Sequence, residues 1–153
     1  MTAVIAAPAS IWWQGVRPQA DALNRIGADT MQAFLGIEIT DVTDDALIGR
    51  MPVEPRTHQP WGRLHGGASI VLAETLGSLG AVHTLEKEQF MAVGMEINAN
   101  HIRPVREGWV IGTARPESRG RTTQIWSIRI TDEQGRLVCI SRFTAAVIAI
   151  ERN

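Results

Sequence analysis

The pattern of hydrophobic periodicities along this chain predicts an α+β fold, one curved antiparallel sheet wrapped around a single long central helix. Three observations carry that expectation. The segment GGASIVLAETLGSLGAVH, from Gly66 to about His83, holds no turn signal and is apolar on nearly every side, the mark of a helix buried in a core. Strand-like runs flank it, two before and four after. In the run from Thr123 to Thr131, Trp126, Ile128 and Ile130 share one face while Ser127 and Arg129 share the other, the two-residue period of a half-buried strand.

Residues 1 to 10, MTAVIAAPAS, are small and apolar but lack a basic leading region and are broken by Pro8, so they read as a flexible extension rather than a signal peptide. Pro18 then opens a short helix in which Ala22, Leu23 and Ile26 recur at helical spacing and which Gly27 stops. Phe34 to Asp41 and Ala46 to Val53 are β-like and joined by Thr43-Asp44-Asp45, a hairpin pattern. Glu54 to Leu64, with Pro55 and Pro60, reads as a loop, longer than most connections and therefore a candidate for function. Beyond the helix come Ala92 to Arg103, Trp109 to Arg115, Thr123 to Thr131 and Leu137 to Ile150. Arg106-Glu107-Gly108 and Asp132-Glu133-Gln134-Gly135 read as hairpin turns between them. An all-round apolar helix followed by such a meander is best buried when the sheet curls around it, which is the layout of the hotdog fold.

One domain is expected from 153 residues that are 44% hydrophobic and 20% charged. Fifteen Lys+Arg against sixteen Asp+Glu leave a formal net charge of -1, which points neither to nucleic acid nor to an anionic membrane, so any anion site is local. No window approaches the ~20 apolar residues that a spanning helix needs, and the expected location is the cytoplasm. Cys139, the one cysteine, lies in an apolar run as a small buried thiol. The four histidines, His58, His65, His83 and His101, include no pair at ligand spacing, so neither a metal nor a cofactor is expected.

Chemistry concentrates in the stretch from Gln59 to Ala68. Gly66 and Gly67 open the long helix, where uncovered N–H groups and the positive end of the helix dipole suit a carbonyl oxygen that becomes an oxyanion. Glycine there could equally serve a tight entry into the helix. Glu74 shifts the balance, because its neighbours Ile70, Val71, Leu72, Leu76 and Leu79 are apolar and a carboxylate among them is costly to bury without a partner. The competing readings are a Glu satisfied by a hydroxyl or backbone group, or one facing solvent. Ser78, one turn on, is placed to give the carboxylate polar support.

Gly66 and Glu74 lie eight residues apart, about 12 Å along a helix axis. One carbonyl carbon cannot touch both in one subunit. If both act on one thioester, two helices must run antiparallel across a two-fold axis, which demands at least a dimer with composite sites. A thioester needs little more than this, since its thiolate leaves readily: Glu74 either attacks the carbonyl to give a mixed anhydride or activates a water as general base. The turn Arg119-Gly120-Arg121-Thr122-Thr123 suits phosphate groups, against the alternative of a solvated hairpin tip. Arg103 and Arg106 are similar cases, and His83 near the helix end is placed as a partner of the C-terminal dipole.

HQPWGRLHGGASIVLAETLGS (His58 to Ser78), the run Gly94 to Arg103 and the closing DEQGRLVCISRFTAAVI resemble the hotdog thioesterases of bacterial secondary and quinone metabolism. The likeness is to the 1,4-dihydroxy-2-naphthoyl-CoA thioesterases and the enterobactin proofreading thioesterases, within the wider PaaI and 4-hydroxybenzoyl-CoA thioesterase superfamily, and it spans about Ile11 to Ile148. That resemblance implies a homotetramer built as a dimer of hotdog dimers, without metal or cofactor, acting on acyl-CoA or acyl-carrier-protein thioesters. By motif position it implies Glu74 as nucleophile or base, Gly66 as oxyanion donor, Gln59 and His65 as groups that orient the thioester, and Ser78 beside the carboxylate or attacking water. His101 matches a residue lining the acyl pocket, with Gly67, Leu79, His83, Arg103, Arg119, Gly120, Arg121 and Thr122 as further substrate contacts. Trp61, where relatives often carry Phe, and Leu79 to His83 depart from the pattern, which touches substrate identity rather than reaction type. Two rivals are a hotdog 3-hydroxyacyl dehydratase, against which the Gln59 and His65-Gly66-Gly67 pattern speaks, and a non-catalytic acyl-CoA-binding module.

Overall fold

The computed structural model describes residues 10–151, so nearly all of the expected N-terminal extension, residues 1–9, lies outside the described residues. Ile11 and Trp12 are already buried, with the Trp12 indole N–H donating to the Thr43 carbonyl at 2.6 Å. Helix α1, Ala20–Ile26, ends at Gly27 as expected, although only Leu23 in it is buried. A four-residue helix, α2 (Met31–Phe34), follows where the sequence pattern begins a strand. Thr30 caps it by accepting the Gln32 N–H at 3.2 Å, and Gly36, at φ 70°, turns the chain out of it. The strand β1 therefore starts only at Glu38 and runs to Val42, pairing with β2 (Leu47–Pro52) in the expected hairpin.

The stretch expected as a loop before the long helix is more ordered than its prolines imply. A 3-10 turn at Pro55–Thr57 leads into a two-stranded ribbon, β3 (His58–Gln59) with β4 (Arg63–Leu64). Thr57 anchors this segment from below, its buried hydroxyl donating to the Pro52 carbonyl at 2.8 Å. Helix α3 then spans Gly66–His83, the bounds its sequence predicts.

Four long strands complete the sheet: β5 (Phe90–His101), β6 (Trp109–Arg119), β7 (Thr123–Asp132) and β8 (Leu137–Ala149). Their spatial order, β1-β2-β6-β7-β8-β5, corrects the simple meander. β5 pairs with β8 at the far edge, so Arg106-Glu107-Gly108 belongs to a crossover and not to a hairpin turn. The crossover is held at the end of the sheet by Leu64 N–H to Val105 O and Val53 N–H to Gly108 O, both 2.8 Å. β6–β7 and β7–β8 are the antiparallel hairpins expected.

Glycine sets how closely α3 approaches the sheet. Gly49 and Gly112 pair across β2 and β6, and a Cβ on either would stand within 3 Å of the Leu76 side chain, which fills the space above both. Gly77 lies against Phe143 and Gly80 against the Trp126 ring in the same way. Trp126, Ile128 and Ile130 are fully buried, as their alternation predicts. The Trp126 indole N–H donates to Gln124 Oε1 at 2.9 Å and Gln124 Nε2 to Thr84 Oγ1 at 2.9 Å, which ties the end of α3 to β7 through a buried polar chain. Cys139 is a free buried thiol, and burial pushes its pKa up.

Candidate active site

The start of α3 is built from three directions. His65 is its N-cap, and the imidazole Nδ1 accepts the Gly67 N–H at 2.8 Å, which fixes Nδ1 as the unprotonated nitrogen. The N–H groups of Ala68 and Ser69 turn back to the His65 carbonyl. Of the first four N–H groups, that of Gly66 alone has no acceptor among the described residues. Gly66 also lies against His101 of β5, since a Cβ there would stand 2.7 Å from the His101 Nε2. Gln59 approaches from β3, and its Oε1 accepts the Trp61 N–H, so its amide NH2 is the end left free. Gln59, Gly66, His101 and Arg103 line one pocket of about 290 Å³.

The same pocket contains two polar residues not expected there from the sequence, Arg63 and Ser69. Ser69 is only 2% exposed and looks like core filling in the run GGAS. The signal that marks it is its place one turn from Gly66, at i+3 on the same helix.

Glu74 lies elsewhere. It is exposed within the single chain, which corrects the expectation of a carboxylate enclosed by apolar neighbours. The sheet covers only one side of α3, through Leu72, Ala73, Leu76, Gly77 and Gly80; Gly67, Ile70, Val71, Thr75, Ser78 and Val82, around Glu74, are half-buried. All-round apolarity thus marks a helix with a second face that the chain itself leaves open. No hydrogen bond joins Ser78 to Glu74, and the carboxylate has no partner among the described residues. Its Oε1 rests over Gly94 of β5, 3.0 Å from where a Cβ would be.

A β-bulge links these two places. On β8 the residues facing α3 follow a strict period of two, Ala145, Phe143, Ser141 and Cys139, and their β5 partners are Gly94, Ile97, Ala99 and His101. Met95 is the extra residue, inserted between Gly94 and Glu96. Were Met95 paired in regular register instead of bulged out, Asn100, and not His101, would face the start of α3.

Residues 62–139 match the thioesterase superfamily. The chain belongs to that superfamily. It is 50% identical over 128 residues to the 1,4-dihydroxy-2-naphthoyl-CoA hydrolase of Escherichia coli, covering 84% of this chain and 93% of that protein. The proofreading thioesterase EntH of Cronobacter turicensis matches at the same identity, length and coverage. In three dimensions the chain superimposes on a crystal structure of a Haemophilus influenzae thioesterase with a TM-score of 0.89 and 42% identity, over 94% of this chain and 98% of that one. The curved six-stranded sheet around α3 is accordingly a hotdog fold, and the chain is a thioesterase.

Within this thioesterase the other expected contacts scatter. His83 leaves α3 nine residues after Glu74, two and a half turns on, and so from the opposite side. It sits in a separate pocket of about 450 Å³ with Trp13, Arg17 and Lys87. Its Nδ1–H donates to the Leu79 carbonyl at 2.7 Å, a contact with the end of its own helix. Burial pushes the His83 pKa down, with the Leu79 carbonyl opposing and Lys87 adding to the fall. Arg119 donates to the Ile11 carbonyl at 2.7 Å, so its guanidinium already has a partner, whereas Gly120, Arg121 and Thr122 are exposed at the β6–β7 turn. Arg103 and Arg106 are exposed, and His58 Nε2 lies 3.0 Å from the Arg106 carbonyl. Among the described residues no group of three or more His, Cys, Asp or Glu could hold a metal, and no helix is long and apolar enough to cross a membrane.

Proposed function

We propose that this thioesterase hydrolyses acyl-CoA or acyl-carrier-protein thioesters carrying an aromatic or medium-size acyl group, at sites shared between two copies of the chain. The observation that carries the reading is the division of labour along α3. A Gly66 N–H without an acceptor stands at the helix start beside His101, and Glu74 stands on the open face eight residues further on. About 12 Å of axial separation keeps one carbonyl from meeting both in one chain. Two antiparallel copies of α3 would bring each Glu74 to the other's Gly66.

Strand β5 supports such a pairing. It is an edge strand of twelve residues paired with β8 alone among the described strands, and it exposes Met91, Val93 and Met95. A long apolar edge is a surface that proteins ordinarily cover. The assembly is a dimer at minimum, and a tetramer if two such dimers pack further.

In the composite site the Gly66 N–H polarises the thioester carbonyl, with the free amide of Gln59 and the imidazole of His101 at the rim. The ionised Glu74 then adds to the carbonyl carbon, expelling the thiolate and leaving an anhydride that water cleaves, or it takes a proton from a water that attacks directly. CoA enters as part of the substrate, and no cofactor takes part. The acyl preference follows from the relatives, two of which are named for an aromatic CoA thioester and for proofreading.

Free-thiol release across a panel of aroyl-, phenylacetyl- and fatty acyl-CoA substrates tests this reading. Glu74→Ala is expected to lower kcat by roughly a thousandfold or more, as loss of a nucleophile or base does. Equal rates for variant and wild type would overturn the role of Glu74, and a monomer hydrolysing at full speed would overturn the shared site.

A further inference from the structure

With no hydrogen bond to direct it, the Glu74 carboxylate takes its position from what it rests on. That is Gly94, where a Cβ would lie 3.0 Å from Glu74 Oε1 and 3.1 and 3.4 Å from Cε2 and Cζ of Phe143. Such spacing leaves a hollow the size of a missing methyl group, with the carboxylate above it and a ring edge at its side. Phe143 has little freedom to retreat. It is 1% exposed, and its opposite edge meets Gly77, where a Cβ would stand 2.7 Å from Cδ1. The ring is therefore held between two glycines, one on α3 and one on β5, and the same helix that carries Glu74 holds the ring in place.

We propose that Gly94 is a positioning residue for thioester hydrolysis: with the ring of Phe143 it forms the seat that fixes the Glu74 carboxylate, and the bulge at Met95 keeps that seat in step with His101. The inference rests on Glu74 being the catalytic carboxylate. A methyl group at position 94 must displace either the end of a flexible glutamate or a buried, doubly held ring, and the glutamate is the easier to move. The fold persists while the carboxylate shifts.

The expected signature is a loss in kcat of roughly three- to tenfold for Gly94→Ala, since the carboxylate must give by a few tenths of an ångström, short of the ~1 Å misplacement that costs about a hundredfold. KM stays within about threefold of wild type, because Gly66, Gln59 and His101 are untouched. The measurement is steady-state thiol release by wild type, Gly94→Ala, Glu74→Gln and the Glu74→Gln, Gly94→Ala double variant. A seat acts only through its carboxylate, so Gly94→Ala should cost nothing further once Glu74 is Gln. Adding Phe143→Leu to Gly94→Ala opens space for the methyl group and should return about half or more of the lost kcat.

Near-wild-type kcat in Gly94→Ala overturns the proposal, as does an equal proportional loss with and without Glu74, which would mark a purely structural effect. If Gly94→Ala does not fold, Phe143→Leu alone decides: removing the ring edge should lower kcat about threefold or more only while Glu74 is present, and an unchanged kcat sinks the seat. Full activity in Glu74→Gln removes the role of Glu74 and the seat with it. An inactive Glu74→Gln beside a fully active Gly94→Ala removes the seat alone.

Discussion

The two sides of helix α3 obey different rules. Towards the sheet, Leu72 and Leu76 are fully buried and glycines at 49, 77, 80 and 112 let helix and strands approach until little space is left. Towards the open side, Gly67, Glu74 and Ser78 are exposed or half-buried, and the carboxylate has no bonded partner among the described residues. One side stores stability in shape complementarity; the other leaves a carboxylate and a hydroxyl uncovered. The difference shows that a helix can be apolar all round while its own sheet covers only one side of it.

Substitution should separate the two sides. Leu76→Ala is expected to cost 2 to 5 kcal/mol, since the space over the Gly49–Gly112 pair has nothing else to fill it, roughly the range for emptied core sites. Ser78→Ala, two residues on but facing outward, should alter stability by less than about 0.5 kcal/mol while hydrolysis falls. Denaturant midpoints for both variants, with thiol release for the second, make the comparison, and similar stability losses would break it.

A smaller effect is expected at the end of the helix. Gln124→Leu leaves the Trp126 N–H and the Thr84 hydroxyl without their buried partner, at a cost of about 1 to 3 kcal/mol. Faster amide exchange at the last turn of α3, with exchange at its first turn unchanged, would localise the loss to the Thr84 contact.

The smallest effect is set by pH. The folded-state pKa of His83 is lowered by burial, so the unfolded chain binds the proton more readily. Its neutral form contributes stability that is fully present above the ordinary histidine value near 6.5 and is lost as pH falls through the lower folded value. Tm is therefore expected to fall between pH 7.5 and pH 5, and to fall less in His83→Gln. An identical fall in the two proteins would show that His83 makes no such contribution.

The parts legible in the sequence were those with strong periodicity or a strong stop. Gly66 and His83 bound α3 as read, because a glycine pair and a change of polarity mark its ends, and Trp126, Ile128 and Ile130 face inward as read. Which strand lies beside which was not legible, because alternation reports a face and not a neighbour; β5 pairs with β8 and leaves β6 to β2. The short helix α2 escaped because four residues carry no period, and the β3–β4 ribbon because Pro55 and Pro60 argue for a loop. Glu74 was legible as exceptional and misread as enclosed, since the sequence counts apolar neighbours without saying which side of the helix the sheet covers. The bulge at Met95 has no local signature at all, yet it decides that His101 meets Gly66.

The tie between Arg119 and Ile11 carries a consequence for variation. The acceptor is a main-chain carbonyl 108 positions earlier in the chain, so no exchange of the side chain at position 11 can delete it. Residue 11 is thus free to drift in identity so long as it packs, while Arg119 is answerable to the path of the backbone. Shortening the chain past that point, unlike mutating it, would release the β6–β7 hairpin from its anchor.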